Sequence, residues 1–292
     1  MEFVLVRRLL LCWVLCIISS PLFAQAFTVE GQVRNARTNQ PVPFATLGII
    51  GRTIGTVADE EGRYILRFPA APTDSLVITS VGFFRAAVSP QALLNGQREF
   101  ALVPLEQALP DVVVQRRQVK AGQLGRTQPT GDVLWTTGSS GKETVDDEWG
   151  WELGTVLTPK RPAYLDVLHV YLATNTYEHL RFRLNLYALE NGRPGRALLA
   201  QDIQLTTTDR QRGWVQLDVS SYDIRLEAQP VVATIQWLQS EKTEPWDKYF
   251  SIPVRRDKKQ LMVERENSQA VWTIQAMQPS LYFTVLEEVE KK

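Results

Sequence analysis

Short runs of alternating apolar and polar residues follow one another along most of this chain, separated by turn-forming residues. Such a pattern is typical of antiparallel strands with one buried face. The clearest case is the segment 181–189, which places Phe182, Leu184 and Leu186 on one side and Arg181, Arg183, Asn185 and Tyr187 on the other. The segment 132–288 contains no 12-residue stretch with a helical period. The sequence therefore predicts an all-β protein.

The chain divides into two predicted domains, residues 27–114 and 132–288, followed by a short tail at 289–292. The segment 115–131 carries four basic and no acidic residues, and it contains three glycines and one proline. It is predicted to be a basic linker. Its cations either touch a membrane surface peripherally or are simply solvated, and the sequence leaves both alternatives open.

The first 26 residues have the features of a secretory signal peptide. Arg7 and Arg8 precede an apolar run at 9–18, and small residues at Ala24 and Ala26 offer two cleavage sites. A run of about 10 residues is too short to span a bilayer, and no later segment is long and apolar enough. We therefore expect an exported protein of the periplasm, outer membrane or cell surface, without a transmembrane helix in the mature chain. Both cysteines, Cys12 and Cys16, would leave with the signal.

Composition narrows the range of possible ligands. The formal net charge is zero, so the chain as a whole lacks the basic surface of a nucleic-acid-binding protein. The mature chain retains two histidines, His169 and His179, and no thiol. These residues leave little material for a metal site, and neither a metal nor a cofactor is predicted.

Four motifs occur in order in the first predicted domain: VEGQV at 29–33, PVPFA at 41–45, GTVADEEGRY at 55–64 and DSLVITSVGF at 74–83. A closing LPDVVV follows at 109–114. This order resembles the carboxypeptidase regulatory-like domain, which also forms N-terminal extensions of TonB-dependent receptors. The resemblance implies a prealbumin-like (transthyretin-like) Greek-key β-sandwich that does not itself cleave peptides. Within the third motif, Asp59 and Gly62 are predicted to build a structural turn, since Asp59 can accept backbone N–H bonds and Gly62 allows a positive φ.

The second predicted domain resembles, over fewer motifs, an uncharacterised β-sandwich found after such domains in envelope proteins. The motifs are FRLNLY at 182–187, the GRP turn at 192–194 and GWVQLD at 213–218. We predict 8–10 strands arranged as a jelly-roll-like sandwich. The segment 231–238 is predicted to be a central strand, and Trp237 and Trp272 are predicted to be core residues.

All seven tryptophans of the mature chain lie in this second domain. Trp149, Trp151 and Trp246 occur in segments with loop or strand-edge composition, so they are the predicted ligand-binding residues, with core packing as the alternative. Sugars stack on exposed aromatic faces, and nearby carboxylates accept hydrogen bonds from their hydroxyl groups. The neighbouring acidic residues Asp146, Asp147, Glu148 and Glu152 offer a second hypothesis, a glycan-active hydrolase with a carboxylate pair.

The leading prediction is a non-enzymatic binding or scaffolding protein of the cell envelope, with a glycan or an envelope protein as its partner. An accessory role in a TonB-dependent uptake or secretion system is the first alternative. The glycan-active hydrolase is the second alternative.

Overall fold

The computed structural model describes residues 27–105, 118–137, 149–241 and 249–289. The predicted signal peptide, both cysteines and both cleavage sites lie outside the described residues. Within the described ranges, no helix has the length and apolar character needed to cross a membrane.

The first domain consists of short strands and one short helix. The elements are β1 (Phe27–Asn35), β2 (Thr46–Ile49), β3 (Gly55–Val57), β4 (Arg63–Phe68), β5 (Leu76–Thr79), β6 (Ala86–Val88), α1 (Pro90–Leu94) and β7 (Glu99–Leu102). They form two sheets of order β4-β1-β7 and β3-β2-β5-β6. Apolar residues of both sheets form one buried cluster that includes Val29, Val33, Leu47, Leu66 and Phe100. These contacts establish a β-sandwich.

Strand β1 lies at the centre of the first sheet because its alternate residues are small or apolar. Val29 and Val33 are fully buried, and Gly31 lies between them. A Cβ atom at Gly31 would lie 2.0 Å from the backbone oxygen of Arg98, so no larger residue fits there. Strand β1 pairs with β4 in antiparallel and with β7 in parallel orientation.

The second domain is also built from strands. They are β8 (Val119–Gly125), β9 (Val133–Thr137), β10 (Glu152–Leu157), β11 (Ala163–Leu172), β12 (Thr174–Asn175), β13 (His179–Glu190), β14 (Arg193–Ala197), β15 (Ile203–Thr207), β16 (Gly213–Asp218), β17 (Arg225–Leu226), β18 (Val231–Glu241), β19 (Phe250–Arg256), β20 (Met262–Arg265), β21 (Thr273–Gln275), β22 (Met277–Pro279) and β23 (Leu281–Glu288). A 3-10 turn covers Ser220–Tyr222. The prediction of an all-β protein is confirmed.

Two larger sheets and one smaller sheet enclose the core of this domain. One sheet has the order β14-β13-β18-β10-β20-β21, and β15 also pairs with β13. The facing sheet has the order β16-β11-β23-β8, and the small sheet joins β9, β12, β19 and β22. The segment 231–238 is central as predicted, since β18 lies between β13 and β10 and is buried on both faces.

The predictions that Trp237 and Trp272 are core residues have different outcomes. Trp237 is 1% exposed and packs against Phe250 and Tyr177 in the core, as predicted. The prediction for Trp272 is wrong, because this residue is only half-buried and its ring lies over Arg265 at 4.1 Å on the outer face of the sheet. A planar cation offers Trp272 a stacking partner outside the core.

Part of the segment predicted as a linker, 115–131, belongs to the second domain. Residues Val119–Gly125 form β8, an edge strand that pairs with β23 along its whole length. Arg126 follows and is 4% exposed, and its guanidinium donates to the backbone oxygens of Gln128 and Thr130 and to the hydroxyl of Ser280. The linker interpretation fails here because an edge strand is held by backbone hydrogen bonds and needs no apolar periodicity.

The first domain packs on the outer face of the seven-stranded sheet of the second domain. A small apolar cluster joins Phe44 and Val57 of the first domain to Leu238 of the second. Hydrogen bonds flank it: the backbone N–H of Gly51 donates to the oxygen of Gln269 at 2.8 Å, and the Asn267 side chain donates to the oxygen of Arg52 at 3.1 Å. Strand β2 is consequently buried on both faces, by its own core and by the second domain.

Candidate functional site

The outer face of the seven-stranded sheet carries a row of polar side chains beneath the first domain. In the strand register, Arg265 of β20 lies opposite Glu152 of β10, and Glu152 lies opposite Gln236 of β18. Gln236 in turn lies opposite Arg183 of β13. Glu152, Gln236 and Arg183 are each at most 2% exposed. The row is therefore buried beneath the first domain, although its polar composition is typical of a face exposed to solvent.

Glu152 organises this row. One carboxylate oxygen accepts hydrogen bonds from the Asn185 amide at 2.9 Å, the Tyr187 hydroxyl at 2.8 Å and the Thr234 hydroxyl. The other oxygen accepts from Arg265 Nε at 2.7 Å. Burial and the neighbouring carboxylate raise the pKa of Tyr187, so its hydroxyl keeps its proton. The carboxylate is saturated with donors, and the side chains around it are fixed in orientation.

Arg183 links the polar row to the first domain. Its guanidinium donates to both oxygens of Asp202, at 2.5 and 2.9 Å, and to the backbone oxygen of Phe44 at 3.1 Å. Burial alone would raise the pKa of Asp202, but the hydrogen bonds and charge of Arg183 outweigh it and leave that pKa below its usual value. Phe44 has a positive φ of 52°, which is strained for a bulky residue. The bond from Arg183 and the Arg181 guanidinium, 4.8 Å above the Phe44 ring, hold this conformation.

A cleft of about 750 Å³ lies between this polar floor and the first domain. Its roof is formed by Thr46, Thr79 and the segment 80–85. Arg85 from the roof and Arg196 from the floor also line it, and among the described residues neither has an ion-pair partner. None of the described residues lining the cleft is acidic. The cleft is therefore a preformed polar cavity of cationic character, in the size range of small-ligand sites and at the domain boundary where such sites often occur.

Aromatic rings border the floor on one side. The Arg265 guanidinium lies over Trp272, and Trp272 makes an edge contact with Tyr187 at 5.7 Å between ring centroids. Burial alone would lower the pKa of Arg265, but the charge of Glu152 outweighs it and leaves that pKa above its usual value. Arg265 thus stays cationic and holds Trp272 at the edge of the sheet.

The structure separates the three predicted ligand-binding tryptophans. Trp149 is half-buried, donates from Nε1 to Ser240 at 3.2 Å and packs beside the interdomain cluster. It also lines a second groove, of about 460 Å³, together with residues of β1, β3 and β4. Trp151 packs against Trp135 at 5.6 Å beside the core. Trp246 lies outside the described residues.

The remaining predicted residues occupy different places. Glu152 is the only described member of the acidic group, because Asp146, Asp147 and Glu148 lie outside the described residues. In the first-domain turn, Asp59 Oδ1 accepts the backbone N–H groups of Glu61 at 3.0 Å and Arg63 at 2.7 Å, and Gly62 has a φ of 71°. Within the described ranges, no group of three or more histidine, cysteine or acidic side chains could hold a metal ion.

A second cluster of aromatic residues lies on the open face of the other large sheet. His169 stacks on Tyr282 with 4.1 Å between ring centroids, and Trp214 stands perpendicular to both rings. Tyr171 contacts Trp214 at 5.2 Å. These four residues, here named the aromatic strip, lie on a different sheet from the polar row.

Comparison with known proteins identifies the first domain. Residues 29–114 match the family model of the CarboxypepD_reg-like domain, which confirms the resemblance seen in the sequence. This part of the chain is a non-catalytic β-sandwich domain of that family. No curated protein sequence matches the chain significantly.

The solved structures that match include one that aligns with most of the chain. The structure of infectious bursal disease virus Gx strain aligns with a TM-score of 0.26 and 9% sequence identity. The alignment covers 91% of this chain and 60% of that chain. The chain thus spans less than two thirds of that structure, and a TM-score this low supports no inference about function.

Proposed function

We propose that this protein is a non-catalytic binding protein of a bacterial cell envelope that holds a glycan in the cleft between its two domains. The observation that carries the proposal is the row of planar hydrogen-bonding groups on the cleft floor, in which Glu152 orients Asn185 and Arg265, and Asp202 orients Arg183. A sugar presents pairs of hydroxyl groups that both donate and accept. Arg183 offers planar donors, and the amides of Asn185 and Gln236 offer both donors and acceptors.

Binding is favoured over hydrolysis by the charges in the cleft. A glycosidase needs two carboxyl groups about 5–9.5 Å apart, one of which gives or takes a proton. The described residues that line the cleft include no carboxylate, and Glu152 beneath them is fully buried and saturated with donors. The first domain is itself non-catalytic.

The test uses the mature chain, residues 27–292, on an array of neutral and acidic bacterial oligosaccharides. Arg85→Ala and Asn185→Ala each remove one hydrogen-bonding group from the cleft. A hydrogen bond involving a charged group is worth about 1.5–3 kcal/mol, so Arg85→Ala should weaken binding at least 10-fold. Trp214→Ala in the aromatic strip and Trp149→Ala in the second groove are the matched controls, and both should retain binding. Far-ultraviolet circular dichroism verifies the fold of each variant.

Two results would contradict the proposal. Loss of binding in Trp214→Ala or Trp149→Ala, with binding intact in both cleft variants, would move the glycan site to the aromatic strip or to the second groove. Absence of binding to every oligosaccharide would remove the glycan altogether. An envelope protein would then become the leading partner, and a pull-down with the tagged mature chain would identify it, including a barrel protein of a TonB-dependent system.

The envelope location is part of the proposal and is supported by the signal pattern at 1–26 and by the family of the first domain. Intact mass of the protein isolated from the periplasm and from membranes should correspond to a chain that starts after Ala26 or Ala24. A full-length chain in the cytosol would contradict export. Peripheral membrane contact is proposed for Arg116, Arg117 and Lys120 alone, since Arg126 is buried.

A further inference from the structure

A third cavity lies in the second domain and shares two lining residues with the cleft. It measures about 430 Å³ and is formed by β13, the segment 196–199 and the segment 224–231. Leu186, Leu226 and Val231 form a buried apolar floor, and Ile224 lines the wall. This cavity, here named the apolar groove, can remove a hydrocarbon chain from water, which is the main source of affinity for such a chain.

Charge is distributed unevenly around the apolar groove. Arg225 is neutralised by ion pairs with Glu227 and Glu288. Arg196 has no ion-pair partner among the described residues, although its backbone N–H donates to Glu190 at 3.2 Å. Among the described residues that line the groove, Arg196 is thus a cation outside any ion pair, and it favours an acidic group over a neutral one.

The apolar groove and the cleft share two of their lining residues. Arg196 and Leu199 line both cavities, so these two side chains form the boundary between the two spaces. A ligand that extends from one space into the other must be apolar at one end, acidic at Arg196 and polar at the other end. No simple sugar and no simple fatty acid has all three parts.

We propose that the apolar groove binds one acyl chain of an anionic glycolipid, whose acidic headgroup lies at Arg196 and whose sugar lies in the cleft. The sugar part of this inference rests on the function proposed above. The acyl part rests on the groove alone and is tested separately. The protein would then recognise a lipid-linked glycan and discriminate against the free sugar by the binding energy of the chain.

The test measures calorimetric binding of octanoate, decanoate and 1-decanol to residues 27–292, with all amphiphiles kept below micelle formation. Burial of each additional methylene tightens binding about fourfold, so decanoate should bind about 15-fold more tightly than octanoate. Decanol should bind more weakly than decanoate because it carries no charge. Ile224→Trp, which fills the wall of the groove, should abolish both interactions.

Arg196→Gln isolates the role of the charge. It should weaken decanoate binding about 10-fold and leave decanol binding unchanged. Arg193→Gln is the matched control, because Arg193 lies on the same strand but outside the groove and donates instead to the backbone oxygen of Trp272 at 3.1 Å. Its binding of decanoate should equal that of the wild type.

The outcomes separate this inference from the proposed function. No decanoate binding, or decanoate binding that survives Ile224→Trp in a folded variant, overturns the acyl site, whatever the glycan array shows. Glycan binding in the cleft without an acyl site leaves the proposed function intact. Decanoate binding that depends on Ile224 and Arg196, without any glycan binding, supports the acyl site and overturns the glycolipid.

Discussion

The substitution Glu152→Gln tests whether one buried carboxylate organises the cleft floor. It removes the negative charge beside Arg265, whose side chain is 12% exposed, and leaves that cation without a counter-charge. Breaking a buried ion pair costs about 3–5 kcal/mol. The amide oxygen of glutamine can still accept from Asn185, Tyr187 and Thr234, so we expect the lower end, about 3 kcal/mol. For a protein of this size, that corresponds to a fall in Tm of about 6–12 °C.

Urea unfolding followed by circular dichroism measures the change in the free energy of unfolding. Arg265→Met should cost a similar amount, because it leaves Glu152 charged and unpaired. The double variant Glu152→Gln/Arg265→Met should be destabilised by at least 2 kcal/mol less than the sum of the single variants, since neither charge is then left alone. Additivity within about 0.5 kcal/mol would refute the coupling and with it the organising role of Glu152.

Three further predictions concern the frame around the site. The Arg183 hydrogen bonds hold the native pKa of Asp202 below its usual value of 3.8. The ion pair therefore stabilises the protein above pH 3.8, and this stability is lost as the pH falls through the native pKa. The urea midpoints of the wild type and Asp202→Asn should differ at pH 7 and converge in acid. Arg126→Met leaves the backbone oxygens that Arg126 binds without a donor, so amide hydrogen exchange of β8 should become faster. Exchange at the wild-type rate would show that this side chain does not hold the strand. Gly31→Ala forces a methyl group against the Arg98 oxygen and should cost about 3 kcal/mol or more by thermal unfolding, whereas an unchanged Tm would contradict the close packing of β1.

The sequence predicts the strand 181–189 well because its alternation has a period of two. Phe182, Leu184 and Leu186 face the hydrophobic core of the domain, as the pattern indicates. The same pattern shows that Arg183 and Asn185 share the opposite face, but it cannot show what covers that face. Polar residues are favoured on a face that meets solvent, and equally on a face that meets the hydrogen-bonding surface of another domain. The site residues on β13 were therefore visible in the sequence as a polar face and were missed as a site.

Long-range pairing explains the other parts of the site that sequence reasoning missed. Glu152 and Arg265 are separated by 113 positions and meet only because β10 pairs with β20. No local signal marks such a pair, and Glu152 was instead grouped with its acidic sequence neighbours. Trp272 was assigned to the core for a related reason, since its partner Arg265 becomes apparent only once the sheet is assembled.

The way the two domains join favours a recognition role for the cleft over a merely structural one. A structural interface would be expected to bury apolar surface, yet the described interdomain cluster consists of Phe44, Val57 and Leu238 with Trp149 at its margin. Most of the remaining contact is polar, and each hydrogen bond adds only about 1 kcal/mol net. The interface also maintains a strained Phe44, and in the part of the chain that the structure describes, Arg85 and Arg196 have no ion-pair partner beside the cleft. Strain and uncompensated charge lower stability, and they are retained where a ligand supplies the missing partner.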